Sequence, residues 1–323
     1  MRTRKLIEDY AKKLGFDLVG FSPAEILPKY KKVYKSWLKN HYDGKMLYMR
    51  ERENIEKRFD LQKILPGAKT VVVLAMNYYK SQKPLEKGFG RVARYAFGRD
   101  YHKIIGKKLK ELEKFIQTLG GETKSYVDAG PVLERAFAQQ AGLGVVGKNT
   151  CLITDKFGSW VFLAEIITNL DLACKNKNGI KKLQLQNSQT DANFRICGQC
   201  QRCKLACPTG AIVSAGIIDA RKCISYLTIE NKGKTTKKFA EKIKATQRIF
   251  GCDICQEVCP HNISRQKPAA CVELSTPKIA GDQIELSKIL SVKTDAEFLK
   301  MFAGSPLMRA KRKGLQRNSS IIL

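Results

Sequence analysis

The chain has 323 residues, 43% hydrophobic and 28% charged, with 59 Lys and Arg against 30 Asp and Glu, a formal charge of +29. This is a globular composition, long enough for two domains or one large one. Its longest apolar runs, such as residues 71–76 and 160–164, are too short to cross a bilayer, so no membrane partner is expected.

The opening residues, MRTRKLIEDYAKKLGF, show neither an apolar core nor a small-residue cleavage site. No secretory signal is visible, and the cytosol is the default location. In a reducing compartment, eleven cysteines point to metal or redox chemistry rather than to disulfides. An excess of positive charge opposes compaction and attracts polyanions. It is densest at NKGKTTKKFAEKIKATQR (residues 231–248) and MRAKRKGLQRN (308–318). Neither has the apolar face of a membrane-surface helix, which favours nucleic acid over a merely solvated basic surface.

In chain order, TRKLIEDYAKKLG reads as an amphipathic helix ending at Gly15, and FDLVGFS as a strand. A turn at Pro66-Gly67 precedes a buried strand over residues 70–76. Ile105, Leu109, Leu112, Ile116 and Leu119 keep a helical period that Gly120-Gly121 stops. SWVFLAEIIT (159–168) is another strand. The alternation favours an α/β layered domain. Residues 176–193 are polar and aperiodic and read as a linker or surface loop.

The sequence CGQCQRCKLACPTGAI places Cys197, Cys200, Cys203 and Cys207 in a C-x2-C-x2-C-x3-C-P run. Three closely spaced thiolates wrap one iron–sulfur cube, and the fourth cysteine reaches a second. GCDICQEVCPHN repeats the pattern with Cys252, Cys255 and Cys259, and Cys223 is the natural substitute for its missing member. Cross-ligation then predicts Cys197, Cys200, Cys203 and Cys259 on one [4Fe–4S] cluster, and Cys207, Cys223, Cys252 and Cys255 on the other. The alternative is structural zinc, with His261 as a possible ligand, although zinc sites usually pair two short C-x2-C hooks. His261 follows a C-P unit and reads as solvent-facing or capping. Cys151, Cys174 and Cys271 lack partners at ligand spacing and read as ordinary thiols.

Several segments together resemble the cobalamin-dependent epoxyqueuosine reductases. They are LPGAKTVVVLAMNYY, RYAFGRDYHK (94–103), YVDAGPVLERAFAQQAGLGVVGKNT (126–150), FGSWVFLAEI (157–166), both cysteine blocks and MRAKRKGLQRN. The resemblance implies an α/β (α+β) cobalamin-binding domain over residues 1–188 and a ferredoxin-like domain with two [4Fe–4S] clusters over 189–270. A short basic C-terminal segment, 271–323, follows. Many members continue into a helical-repeat region, and this sequence stops just after the basic run, which implies that it holds its tRNA with less protein. The implied reaction reduces epoxyqueuosine to queuosine at the wobble position of a tRNA anticodon loop, the last step of queuosine biosynthesis. Cob(II)alamin and the two clusters are the implied cofactors, with an external electron donor, and monomer is the family expectation.

By the same resemblance Asp128 is the proton donor, with a pKa expected to rise on burial against the corrin. Its sequence context, Asp-Ala-Gly-Pro, is also good turn chemistry. Arg58, Tyr95, Ala96, Asp128, Lys148 and Asn149 are the implied cobalamin contacts. GRDYHKIIG is one residue too long for a D-x-H-x-x-G cobalt-ligand motif. Asp100 is therefore read as a helix cap, and His102 is not a candidate ligand. The implied tRNA contacts are Lys237, Lys238, Arg309, Lys311, Arg312, Lys313 and Arg317. Two other readings are a reductive dehalogenase, which leaves the +29 charge without a reason, and a non-catalytic two-cluster electron carrier, which leaves Asp128 without a role.

Overall fold

The computed structural model describes residues 2–172, 196–276 and 281–323. Cys174, the polar stretch 176–193 and the expected boundary at 188/189 lie outside the described residues. The first part runs α1 (Arg2–Lys13), β1 (Leu18–Pro23), α2 (Pro28–Lys39), α3 (Arg52–Phe59), β2 (Thr70–Asn77), β3 (Phe89–Val92) and α4 (Tyr101–Thr118). Next come β4 (Thr123–Tyr126), α5 (Glu134–Gln140), β5 (Val145–Val146), β6 (Leu152–Ile153) and β7 (Val161–Thr168).

Four of these strands form a sheet in the order β1-β2-β7-β4, with every neighbouring pair antiparallel. The alternating helix and strand patterns thus build an α+β sheet and not a parallel one, because β7, the last of the four in sequence, inserts between β2 and β4. The apolar run of β2 follows from cover on both faces, and all eight of its residues are buried. Val72, Leu74 and Met76 meet Ile7 and Ala11 of α1 and Ile105, Leu109, Leu112 and Ile116 of α4. Val71, Val73 and Ala75 meet Ala136, Phe137 and Ala138 of α5. Each fully buried Leu or Ile there contributes roughly 2 kcal/mol of transfer free energy. Asp100 caps α4 as expected, its carboxylate accepting from the His102 amide at 3.0 Å, and Gly120 follows the helix end at φ +84°.

The later part runs α6 (Arg202–Ala206), β8 (Ile212–Ser214), β9 (Ile217–Ile218), α7 (Ile224–Ile229), α8 (Lys237–Thr246), β10 (Arg248–Phe250), α9 (Ile254–Glu257) and α10 (Pro260–Ile263). It ends with α11 (Val272–Ser275), β11 (Gln283–Glu285), α12 (Leu286–Leu290), α13 (Asp295–Phe302) and α14 (Lys311–Ile322). Its three-stranded sheet has β3, from the first part, at its centre, parallel to β10 and antiparallel to β11. Val92 and Ala96 share a core with Ile224, Leu227, Phe250, Ile284, Phe302, Leu307, Leu315 and Ile322. The C-terminal residues are therefore more than a basic appendage. One face of α14 closes the second core, and the buried Asn318 Nδ2 donates to the carbonyls of Thr228 and Ile249, each at 2.8 Å.

Candidate active site

The loop before α6 and the turn into α10 bring Cys197, Cys200, Cys203 and Cys259 around one hollow. These sulfurs surround a space instead of meeting at a point. Among the described residues, no three His, Cys, Asp or Glu side chains converge enough to hold a single metal ion. His261 lines the same hollow, but its Nε2 pairs with the Ile196 carbonyl at 3.0 Å, which requires the proton on that nitrogen and leaves it no lone pair for a metal.

Cys207, Cys223, Cys252 and Cys255 make a second group. Burial pushes the Cys252 thiol up to about 12, with Cys223 adding to it, and Cys223 is raised by burial and then by Cys207 and Cys151. Thiolates are stable there only with positive charge beside them. A hydrogen bond with Cys151, then burial, pushes Cys255 well above its ordinary value. Cys151, read from spacing as an ordinary thiol, is thus a fifth sulfur against this group, from a part of the chain that carries no cysteine motif.

Lys148 and Asn149, expected at the corrin, turn their polar atoms to these loops. Lys148 Nζ donates to the carbonyls of Gly198 at 2.6 Å and Cys200 at 3.1 Å. Asn149 is buried, and its Nδ2 donates to the Cys255 carbonyl at 3.2 Å. The GKNT turn fastens the two cysteine loops to the first domain, because carbonyls exposed by tight cysteine turns need donors.

Asp128 follows β4 in a three-residue turn closed by the Ala129 amide donating to the Val127 carbonyl at 2.6 Å. Its φ is +57°, a left-handed conformation that Asp tolerates better than most residues. Gly130 is required next, since a Cβ there would lie 2.4 Å from Cγ of Tyr126. The turn chemistry and an outward carboxylate therefore coexist. The side chain is 61% accessible, although protein groups crowd its near side.

Two donors act on that carboxylate. The Tyr101 hydroxyl donates to Oδ2 at 2.5 Å, and His102 Nε2 lies 3.5 Å from the same oxygen while its Nδ1 is 2.8 Å from Asp100. Burial works against a charged imidazole, but Asp100 and Asp128 outweigh it and push His102 up to about 9. Burial by itself raises Asp128, but His102, Tyr101 and Arg309 prevail and hold its carboxyl below the ordinary value. The expected upward shift is therefore absent from the chain by itself, because these partners favour the ionised form.

Aromatic rings continue from this point. Tyr101 stacks on Phe162 at 4.2 Å, Tyr95 stands edge-on to Tyr101 at 6.2 Å, and Tyr95 also meets Phe250 at 6.1 Å, two residues before Cys252. Arg94 anchors this segment, its amide donating to Asp253 at 2.7 Å and its guanidinium to Glu257 at 2.6 Å. Ala96 is buried beneath. On the rim, Arg309 pairs with Glu230 at 2.9 Å and lies 5.9 Å over the Tyr48 ring. Arg58 is 6% exposed, stands 5.7 Å over Tyr34, and has an Nη1 with no partner. Tyr48, Tyr101 and Glu230 carry no motif, and only their neighbours in space mark them.

The basic residues divide in two. Lys237 and Lys238 open α8 in solvent, and Lys311, Lys313 and Arg309 are exposed. Arg312 instead pairs with Asp295 at 2.7 Å. Arg317 turns inward and donates to the carbonyls of Asn231, Gly233 and Leu227 at 2.5, 2.9 and 2.8 Å. Both leave the expected nucleic-acid surface, because the helical period of α14 carries them toward the body of the protein.

Residues 58–129 match the sequence family described as Epoxyqueuosine reductase QueG, DUF1730, and residues 196–262 match the 4Fe-4S double cluster binding domain. The cysteine region is accordingly a double [4Fe–4S] domain and not a zinc site. An epoxyqueuosine reductase of Gloeobacter violaceus is 39% identical over 324 residues, spanning 98% of this chain and 94% of that protein. The crystal structure of an epoxyqueuosine reductase with an epoxyqueuosine-modified tyrosine tRNA stem loop is similar at a TM-score of 0.85 and 32% identity, covering 100% of this chain and 81% of that one. The Bacillus subtilis epoxyqueuosine reductase, in a structure with its catalytic aspartate loop swung out of the active site, is similar at 0.84 and 30%, with the same coverage.

Proposed function

The chain belongs to the epoxyqueuosine reductase family, and we propose that it reduces epoxyqueuosine to queuosine at the wobble position of a tRNA anticodon loop with cobalamin bound beside Asp128. The observation that carries this reading is the continuity from Asp128 through Tyr101 and Tyr95 to Phe250 and the Cys252 loop, which sets an acid and an electron source on one wall. Cys197, Cys200, Cys203 and Cys259 would hold one [4Fe–4S] group and Cys207, Cys223, Cys252 and Cys255 the other, supplying low-potential single electrons.

Two features of this chain suit a corrin. Arg58 keeps a buried N–H without a partner, which an amide-bearing ring would satisfy, and the ring of Tyr95, set between Tyr101 and Phe250, would offer an apolar edge with Ala96 packed behind it. When bound, cobalamin supplies a low-potential, nucleophilic metal centre. Reduction of the epoxide to an alkene takes two electrons and two protons and releases water. Asp128 gives one proton to the epoxide oxygen, and it must first be protonated itself. A corrin laid over its accessible face removes the water that helps to keep it ionised. Tyr101 and His102 hold its Oδ2 in place and keep protons beside it. Lys237, Lys238, Arg309, Lys311 and Lys313 would take tRNA phosphates, which positions the loop without reading its sequence. Electrons come from an external donor, and the protein acts as a monomer. Among the described residues no helix is long and apolar enough to cross a membrane.

The test is anaerobic reconstitution of the clusters, addition of cobalamin and a low-potential reductant, and nucleoside analysis of epoxyqueuosine-containing tRNA. Conversion to queuosine is expected. Cobalamin binding with unchanged tRNA overturns the substrate, and no cobalamin binding overturns the cofactor.

A further inference from the structure

Two carboxyl groups behind the Asp128 turn have no part in the chemistry described above. Glu165 lies in the middle of β7 and is 0% exposed. By the alternation of the strand it shares a face with Leu163 and Ile167, in the layer filled by Val132, Ala136 and Phe137. That layer is mostly apolar, with Tyr126 directly across the strand pair, and neither Glu165 oxygen has a donor. An ionised carboxylate is strongly disfavoured in such a place. The one carboxyl laid against it belongs to Glu134, the first residue of α5. Glu134 in turn accepts the backbone N–H of Asp128 on Oε1 at 2.7 Å.

Two carboxylates in contact repel, and neither brings a donor. A single proton between them satisfies both. We propose that Glu165 keeps its proton and shares it in a hydrogen bond to Glu134, and that the pair is a latch holding the Asp128 turn in its left-handed pose. The latch rests on the reading of Asp128 as the acid of the reaction. Its logic is mechanical. A non-glycine residue in a left-handed, three-residue turn is unfavourable on its own and needs a tether. The Asp128 amide is that tether, and Glu134 is the post. Glu165 fixes the rotamer of the post from inside the sheet, where nothing else on β7 offers a polar atom to it. Burial, then Glu134, push Glu165 well above its ordinary value, and burial, then Asp128, raise Glu134 as well. Glu134 already accepts from the Asp128 amide, whereas Glu165 is sealed from solvent with no donor to either oxygen, and that difference puts the proton on Glu165.

The experiment uses the holoenzyme and three variants, Glu165→Leu, Glu165→Gln and Glu134→Ala. Leucine fills the site and removes the donor, so Glu165→Leu should melt no lower than the wild type. Its Asp128 amide should nevertheless exchange with deuterium about tenfold faster, the worth of one hydrogen bond, and kcat should fall about tenfold with KM nearly unchanged. Glu165→Gln retains an N–H donor and should keep both exchange rate and kcat within about threefold of the wild type. Glu134→Ala removes the post and should show both losses. Wild-type exchange in Glu165→Leu, or equal damage from Gln and Leu, overturns the latch. A wild type that leaves epoxyqueuosine unreduced overturns the function instead, and the amide exchange still decides the latch.

Discussion

Arg317→Ala separates a structural arginine from a nucleic-acid contact within one basic run. Its guanidinium donates to three backbone carbonyls, those of Asn231, Gly233 and Leu227, and to the side chain of Asn318 at 2.8 Å. Burial holds this guanidinium below the ordinary arginine value, the reverse of what a solvated phosphate-binding arginine shows. Truncation leaves three acceptors without this donor in a half-buried place, the carbonyls of Asn231 and Leu227 and the Asn318 side chain, while Asn231 Nδ2 still donates to the Gly233 carbonyl at 3.4 Å. Each loss costs about 1 kcal/mol after partial resolvation, so the sum is about 3 kcal/mol. For a chain this long that lowers the melting temperature by about 4 °C. Thermal unfolding and the salt dependence of tRNA binding, measured side by side, are the assays. Arg317→Ala should melt early and keep the wild-type salt slope. Lys313→Ala, which removes an exposed lysine from the same helix, should melt with the wild type and lose about one unit of slope. An Arg317→Ala protein that melts with the wild type and binds tRNA as poorly as Lys313→Ala refutes the reasoning.

Asp128→Ala should keep both clusters and bind cobalamin, yet lose turnover by at least about a hundredfold, and normal epoxide reduction by this variant would remove the general-acid role. Cys259→Ala should lower iron by about four atoms per chain, whereas Cys271→Ala should leave it unchanged, and iron analysis of the reconstituted proteins is the check. The folded-state value of His102, about 9, lies above the ordinary 6.5, so its stabilisation is complete below 6.5 and disappears as pH rises through about 9. Melting temperatures of wild type minus His102→Gln should therefore be largest near pH 6 and vanish in alkali. A difference that is flat with pH contradicts the ion-pair geometry.

The parts of the site that were legible are those written locally. Cysteine ligands sit two or three residues apart because one tight loop must grip one cube, and that spacing survives in a linear string. Asp100 as a cap and Asp128 in a turn are local in the same sense. Glu165 was hidden because it interrupts an apolar strand run, SWVFLAEIIT, and its partner Glu134 comes from a different element. Cys151 was hidden because only the packing of the GKNT turn on the Cys252 loop brings its sulfur to Cys255. Arg312 and Arg317 were misassigned because the buried face of α14 includes Asn318 and Ser319 beside Leu315 and Ile322, which blurs the apolar period that would have pointed inward. The antiparallel sheet was not legible either, since alternating helices and strands do not say where the last strand inserts.

The place of β3 between β10 and β11 governs how this protein can be made. The core beside the second cluster group needs Val92, from the first third of the chain, and Ile322, from its final helix. In chain order the cysteine loops precede the helix that completes this core, so they are synthesised before it can close. Closure of such distant segments is intrinsically slow. Iron–sulfur assembly thus meets a loose substrate early and a sealed one late.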